Sequence, residues 1–298
     1  MRLVIISLLA LIAGNAIADD IDSSEYGTGG GVREPSCRCG WTNNKMSRIV
    51  NGDDAGVNEF PWVVGIKEAD DLGPGCGGVI LSERIVLTAA HCTEPMSQSQ
   101  IVVLVGEHNI FDESETPAAQ MINVEKYVQH PDYDINENLE NDIALLLLEE
   151  AIVMSDRVGP ICFPSEKVNL VTELVTVMGW GKLGTNKGPS PVLKKTQVKC
   201  IPLDICKKVY GGIETNAKKA NQICTYTKNK DSCQGDSGGP VVWRDPEMNL
   251  YTNQAIISYG GDECGEAPGI STHVFSHKEW ILKTMHELDP TQKVCTKI

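Results

Sequence analysis

Ser237 lies inside the hexapeptide Gly235-Asp236-Ser237-Gly238-Gly239-Pro240, whose glycines allow backbone N–H groups to converge on one point. A serine hydroxyl is a weak nucleophile, so such a loop signals chemistry only when a base and an orienting group accompany it. Candidates for both stand upstream: His91 in Thr88-Ala89-Ala90-His91-Cys92, and Asp142 in Asn141-Asp142-Ile143-Ala144-Leu145-Leu146. Together they could perform acyl transfer. Ser237 Oγ would attack a carbonyl, His91 would take the proton and hand it to the leaving group, and Asp142 would hold the imidazole in the right tautomer. Each residue also has a plain reading: a core histidine beside a disulfide, a strand-start cap, a turn serine. Those readings explain the residues singly and fail to explain them jointly.

The chain order His, Asp, Ser separates this set from those of subtilisins and α/β-hydrolases. With these motifs, roughly residues 37–288 resemble the chymotrypsin/trypsin family of serine endopeptidases. The resemblance implies an all-β fold: two six-stranded antiparallel β-barrels, an active-site crevice between them and a C-terminal α-helix. His91 and Asp142 would come from the first barrel and Ser237 from the second. Gly235 and Ser237 would offer their backbone N–H groups as an oxyanion hole, and loss of one such donor typically costs on the order of 100- to 1000-fold in rate. Ser258, in Ile257-Ser258-Tyr259-Gly260, would hydrogen-bond the triad aspartate and face substrate backbone. Asp231, with Ser232 beside it, matches the family's primary-pocket floor and would pair with Arg or Lys before the scissile bond. Gly260 and Gly269 would leave the pocket walls open. The plain reading of Asp231 is a solvated loop carboxylate next to Lys230. Ser271 and Tyr259 stand where trypsin-like enzymes usually carry tyrosine and tryptophan, which implies a roomier or wetter pocket.

Arg48-Ile49-Val50-Asn51-Gly52 resembles the family's activation junction. Cleavage after Arg48 would free the α-ammonium of Ile49 to pair with Asp236. Breaking a buried pair of this kind costs about 3–5 kcal/mol, enough to act as a switch. The resemblance therefore implies a zymogen opened by an Arg-cleaving, trypsin-like protease. Its partners would be protein substrates with Arg or Lys at the cut and protein inhibitors such as serpins. The Cys37-Arg38-Cys39-Gly40-Trp41 segment resembles arthropod serine proteases, including those of insect venoms. A catalytically inactive homologue serving as a cascade cofactor, or a digestive trypsin, are the competing readings.

Eleven cysteines behind a secretory-type leader point to disulfides, and the odd count leaves at least one outside any intrachain pair. By resemblance Cys76 pairs with Cys92, Cys206 with Cys224 and Cys233 with Cys264. Cys162 would tether the N-terminal segment through Cys37 or Cys39. A further family bridge is missing at both ends, where Val175 and Trp243 stand, which favours apolar repacking. Cys200, Cys295 and one of Cys37 and Cys39 stay unplaced; a bridge from the Cys-x-Cys segment to Cys295 would place two of them. Zinc is disfavoured, because neither HExxH nor paired CxxC spacing is present. Glu107 matches one calcium ligand of the family, and Asp112, Glu113 and Glu115 follow it. The partner glutamate falls near Ala119, so a solvated acidic loop is the better reading, and no cofactor is expected.

Elements that could hold such a site are legible as short apolar runs between Gly, Pro and Asn turns: 62–66, 79–81, 85–88, 101–105, 143–148, 174–178 and 255–257. Many short strands without intervening helical patterns indicate barrels or sandwiches rather than βαβ units. Residues 276–285 break that pattern with apolar residues at helical spacing, and predict a helix capped by Ser276. Residues 1–18 read as a signal peptide, 19–48 as a propeptide or light chain and 49–298 as the peptidase domain, giving a secreted protein. A formal charge of −14 disfavours nucleic-acid and anionic-membrane partners.

Overall fold

The computed structural model describes residues 31–43, 53–112, 115–134 and 139–298. The leader, the Arg48–Ile49 junction and Glu113 lie outside the described residues. A two-residue strand, β1 (Asp53–Asp54), precedes a first barrel of β2 (Val63–Glu68), β3 (Cys76–Ile80), β4 (Ile85–Thr88), β5 (Ile101–Val105), β6 (Gln120–Gln129) and β7 (Ala144–Leu148). Its strand order β2-β3-β4-β7-β6-β5 closes on itself and leaves no free edge. Four of these strands are wholly buried (β3, β4, β5 and β7), which is why Ile-Val-Leu-Thr and Ala-Leu-Leu-Leu-Leu read as unbroken apolar runs. Strand β6 alternates buried Ile122 and Val124 with exposed Met121, Asn123 and Glu125, so it offers no such run.

After β8 (Cys162–Phe163), the second barrel comprises β9 (Leu174–Gly179), β10 (Lys194–Ile201), β11 (Gln222–Thr225), β12 (Pro240–Asp245), β13 (Leu250–Tyr259) and β14 (Gly269–His273). Its antiparallel path β12-β9-β10-β11-β14-β13 is closed by the pairing of β12 with β13. Strand β1 adds to β10, so the chain entering the first barrel is anchored on the second.

Among the described residues, two α-helices interrupt the strands. Helix α1 (Leu203–Tyr210) is a short amphipathic segment that packs Leu203, Cys206 and Tyr210 to one side, and helix α2 (Lys278–Leu288) follows a 3-10 turn at Phe275–His277. The predicted cap is corrected here: Ser276 lies within that turn, and its hydroxyl bonds Ala220 O at 3.0 Å and His273 Nδ1 at 2.8 Å instead of an α2 N–H. The polar residue is used across the fold, so the 3-10 turn extends the chain by two residues before α2 starts.

Five disulfides are formed: Cys76–Cys92, Cys206–Cys224, Cys233–Cys264, Cys39–Cys162 and Cys37–Cys295. The last joins the N-terminal segment to the strand β15 (Cys295–Thr296), which lies parallel to β8. Two tethers thus hold residues upstream of Arg48 to the body of the fold. Trp41 is wedged between them, donating its ring N–H to Asp156 O at 2.9 Å, with the Arg38 guanidinium 4.1 Å above its ring. Val175 and Trp243 pack in one apolar cluster with Val177, Val198 and Val241. The thiol of Cys200 is buried in the same cluster, and burial pushes its pKa up to about 12. A thiol kept protonated and enclosed is unreactive. Alkylation without reductant should label no cysteine of the native protein and label Cys200 alone once denaturant is added. Peptide mapping that finds Cys295 or Cys37 labelled would contradict the fifth bridge.

Candidate active site

Register brings the first barrel's two candidates together. Thr88 at the end of β4 pairs with Ala144 at the start of β7. His91 sits three residues beyond one and Asp142 two residues before the other, on a 3-10 turn (Ala90–Cys92) and a strand entry. His91 Nδ1 lies 2.7 Å from Asp142 Oδ2, and the His91 backbone N–H donates to Asp142 Oδ1 at 2.9 Å. The Ser258 hydroxyl, from β13 of the other barrel, donates to Asp142 Oδ2 at 2.5 Å. Three donors on one fully buried carboxylate fix its position. An ionised carboxylate can only accept, so His91 carries its proton on Nδ1 and keeps a lone pair on Nε2. That is the tautomer a general base requires. The imidazole is 23% exposed, so substrate can reach it.

Ser237 is half-buried in the loop before β12. The loop is docked on the first barrel through the Gly77 N–H, which donates to Ser237 O at 2.7 Å, and on its own barrel through Gly238 N–H to Ile257 O at 2.8 Å. Gly235 has φ of +100°, a left-handed conformation that disfavours any side chain. Among the described residues, neither the Gly235 nor the Ser237 backbone N–H has an acceptor. Two unsatisfied donors beside a serine are what an oxyanion site needs.

Asp236 turns away from Ser237. Its carboxylate accepts the N–H groups of Gly181 and Cys233, each at 2.8 Å. A Cβ at Gly181 would lie 2.6 Å from that carboxylate, so only glycine admits it. Burial pushes its pKa up to about 6 against those two hydrogen bonds. A cavity of about 250 Å³, lined in part by Gly179, Gly181, Lys195, Ser232 and Asp236, adjoins it. Lys195 in that lining is itself paired with Glu59 at 2.5 Å.

Asp231 lines the same cavity, at a recess in its wall. Its Oδ1 accepts the Ser232 N–H at 2.9 Å and its Oδ2 the Gly265 N–H at 3.2 Å. Burial raises its pKa to about 6, opposed by those N–H groups. A Cβ at Gly269 would stand 3.4 Å from Oδ1, and one at Gly260 would stand 4.0 Å from Oδ2. The two glycines therefore flank the carboxylate and put no side chain against it. Ser271 is buried on β14. Tyr259 meets the edge of Tyr210 at 5.5 Å, and the Tyr210 hydroxyl donates to Pro268 O, next to Gly269. Tyr210, at the end of the unforeseen α1, thus braces the recess wall. The only sequence signal for it was an aromatic residue beside Gly211-Gly212.

Metal-type donors gather in the described residues at Cys76, His91 and Cys92. The two sulfurs are bonded to each other, so neither is a thiolate ligand. In the acidic loop, Glu115 is engaged by the Asn109 N–H at 2.8 Å.

The family model described as "Trypsin" matches residues 49–281. The chain is similar to "Venom serine protease 34" of Apis mellifera, 42% identical over 252 residues that make up 83% of this chain and 60% of that protein. It is also similar to "Venom serine protease" of Polistes dominula, 37% identical over 254 residues, covering 84% of this chain and 88% of that one. A "CLIP domain-containing serine protease HP8" of Bombyx mori is 34% identical over 269 residues, 84% of this chain and 72% of its own.

Proposed function

Because the chain belongs to the trypsin family of serine peptidases, with Trypsin matched over residues 49–281, we propose that it is a secreted zymogen whose cleaved form hydrolyses peptide bonds after Arg or Lys. The single observation that carries the reading is the Asp142–His91 pair at 2.7 Å, which holds the imidazole by its Nδ1 side. His91 takes the Ser237 proton as Oγ bonds to the scissile carbonyl carbon, and the Gly235 and Ser237 N–H groups receive the oxyanion. His91 then protonates the leaving amine. Water, deprotonated by the same imidazole, releases the acyl group and regenerates the hydroxyl. No cofactor takes part in these steps.

Asp231 supports the specificity: a buried carboxylate between two glycines suits a long cationic side chain. Asp236 supports the activation step. Among the described residues it pairs with no cation, and the wall of the cavity beside it includes Lys194 and Lys195 of β10, on which Asp53 and Asp54 are paired. Ile49 is four residues upstream of Asp53, a reach of up to about 14 Å. The Ile49 ammonium entering that cavity would neutralise Asp236 and order the neighbouring Ser237 loop. Two relatives named as venom serine proteases support a venom role. Among the described residues, no helix is long and apolar enough to cross a membrane.

The test is hydrolysis of short Arg-, Lys- and Phe-ending amides before and after limited trypsin treatment, with Ser237→Ala as control. Activity is expected only after cleavage at Arg48, and only on Arg and Lys. Equal activity in an uncut Arg48→Ala protein would refute the zymogen. Inactivity of the cleaved wild type would favour a cofactor role.

A further inference from the structure

Asn141 stands one residue before Asp142 and has φ of +56°, a left-handed backbone that asparagine tolerates better than most residues. Its side chain is oriented without ambiguity. Nδ2 lies 2.9 Å from Asp132 O, an atom that can only accept, so the amide NH₂ must face that way and Oδ1 the other. Oδ1 then accepts the Asn221 Nδ2–H at 2.9 Å and meets His277 Nε2 at 3.1 Å. Asn141 belongs to the first barrel, whereas Asn221 and His277 precede β11 and α2 of the second half.

The same donor count applies to the imidazole. His277 Nδ1 lies 2.8 Å from His273 O, again a pure acceptor, and the residue is only 4% exposed. Both ring nitrogens face acceptors, and the edge of His130 closes a third side at a centroid distance of 5.4 Å. Burial pulls the His277 pKa down to about 4, against the hydrogen bond to His273 O. A neutral ring has one N–H for its two acceptors. The Asn141 contact requires the Nε2–H tautomer, and a side chain with a fixed donor there would serve it at least as well.

We propose that His277 and Asn221 are positioning residues: through Asn141 they pin the backbone of Asp142 to the barrel that carries Ser237. The inference rests on the triad reading given above. Its physical basis is that His91 and Asp142 ride on one barrel and Ser237 on the other, so catalysis requires the two bodies to keep register to a fraction of an ångström. Ser258 ties the carboxylate itself to the second barrel, and Gly77 ties the Ser237 loop to the first. The Asn141 pin holds the main chain from which the carboxylate projects.

The experiment compares full-length, Arg48-cleaved wild type with His277→Leu, His277→Gln, Asn221→Leu and the double Leu variant. Each preparation is titrated for active serines by its acylation burst, so that kcat is expressed per functional site. His277→Leu and Asn221→Leu should each lower kcat by about 10- to 100-fold with KM within twofold, the loss expected from a sub-ångström misplacement. His277→Gln should stay within threefold of wild type. The double variant should lose much less than the product of the single losses, because both act through one amide. A lower Tm and fewer titratable sites with unchanged kcat per site would mean a merely structural role and overturn the proposal, as would full multiplicativity. Asp142→Asn is run alongside: if it keeps its activity the triad reading fails, whereas its loss with an unaffected His277→Leu refutes the pin alone.

Discussion

Asp142→Asn should fold normally and lose about four orders of magnitude in kcat. The argument follows from the donors on the carboxylate. The asparagine oxygen can take the Oδ1 position and still accept the His91 backbone N–H now bonded at 2.9 Å. The Ser258 hydroxyl, now a donor to Oδ2 at 2.5 Å, can rotate and accept from the new NH₂. Two of the three contacts therefore survive, and stability should change little. The third is inverted. An NH₂ facing His91 Nδ1 drives the ring proton to Nε2, which removes the lone pair that must receive the Ser237 proton. Thermal unfolding and kcat of the cleaved protein, measured on the same preparation, separate the two effects. Activity within tenfold of wild type would mean that His91 is not the base. A lost fold would mean that Asp142 is held chiefly for stability.

Asp231→Ser should lower kcat/KM for Arg and Lys substrates by about 10²- to 10⁴-fold, which is what removing one partner of a buried, hydrogen-bonded charge pair costs. Phe-ending substrates, which bring no charge, should be hydrolysed no more slowly than by wild type. The same carboxylate predicts a pH dependence that can be read without catalysis. Its pKa is raised to about 6 by burial, so below that pH it is neutral and cannot pair with a cation. Binding of a small amidinium to the Ser237→Ala protein should weaken as pH falls through about 6. The linked stability has the opposite sense. A carboxyl with a raised folded-state pKa adds stability below the ordinary carboxylate range, and that contribution disappears as pH rises through about 6. A bound cation relieves the ionised form, so the amidinium should raise Tm more at pH 7 than at pH 5. Amidinium affinity that is flat across this range would separate Asp231 from the cation site.

Much of this was legible along the chain because the informative features are local. The strands 85–88 and 101–105 are complete apolar runs, and their observed bounds coincide with the runs. Strands β6 and β10 were not legible. Each has one face in the barrel and one carrying Lys, Gln or Glu, so neither forms an apolar block, although alternation was present in β6. Helix α1 is only about two turns long, so the spacing of Leu203, Cys206 and Tyr210 along its packed side is too short a stripe to stand out. At α2 the periodicity was correct and the cap was wrong, because the Ser276 hydroxyl found acceptors on other elements.

By itself the sequence pointed to the candidate site residues: Ser237 among its glycines, His91 and Asp142 in family order, and Asp231 with Gly260 and Gly269. These are matters of residue type and short spacing, which one strand or loop can encode. Only the tertiary structure decided that Cys39 takes Cys162 while Cys37 takes Cys295 across 258 residues of chain. Only there do Tyr210 reach the recess wall and His277 reach Asn141 across 136 residues. Those choices depend on which surfaces the two closed barrels present to each other. A contact between distant segments has no local pattern, because its geometry exists only once both barrels are closed and packed.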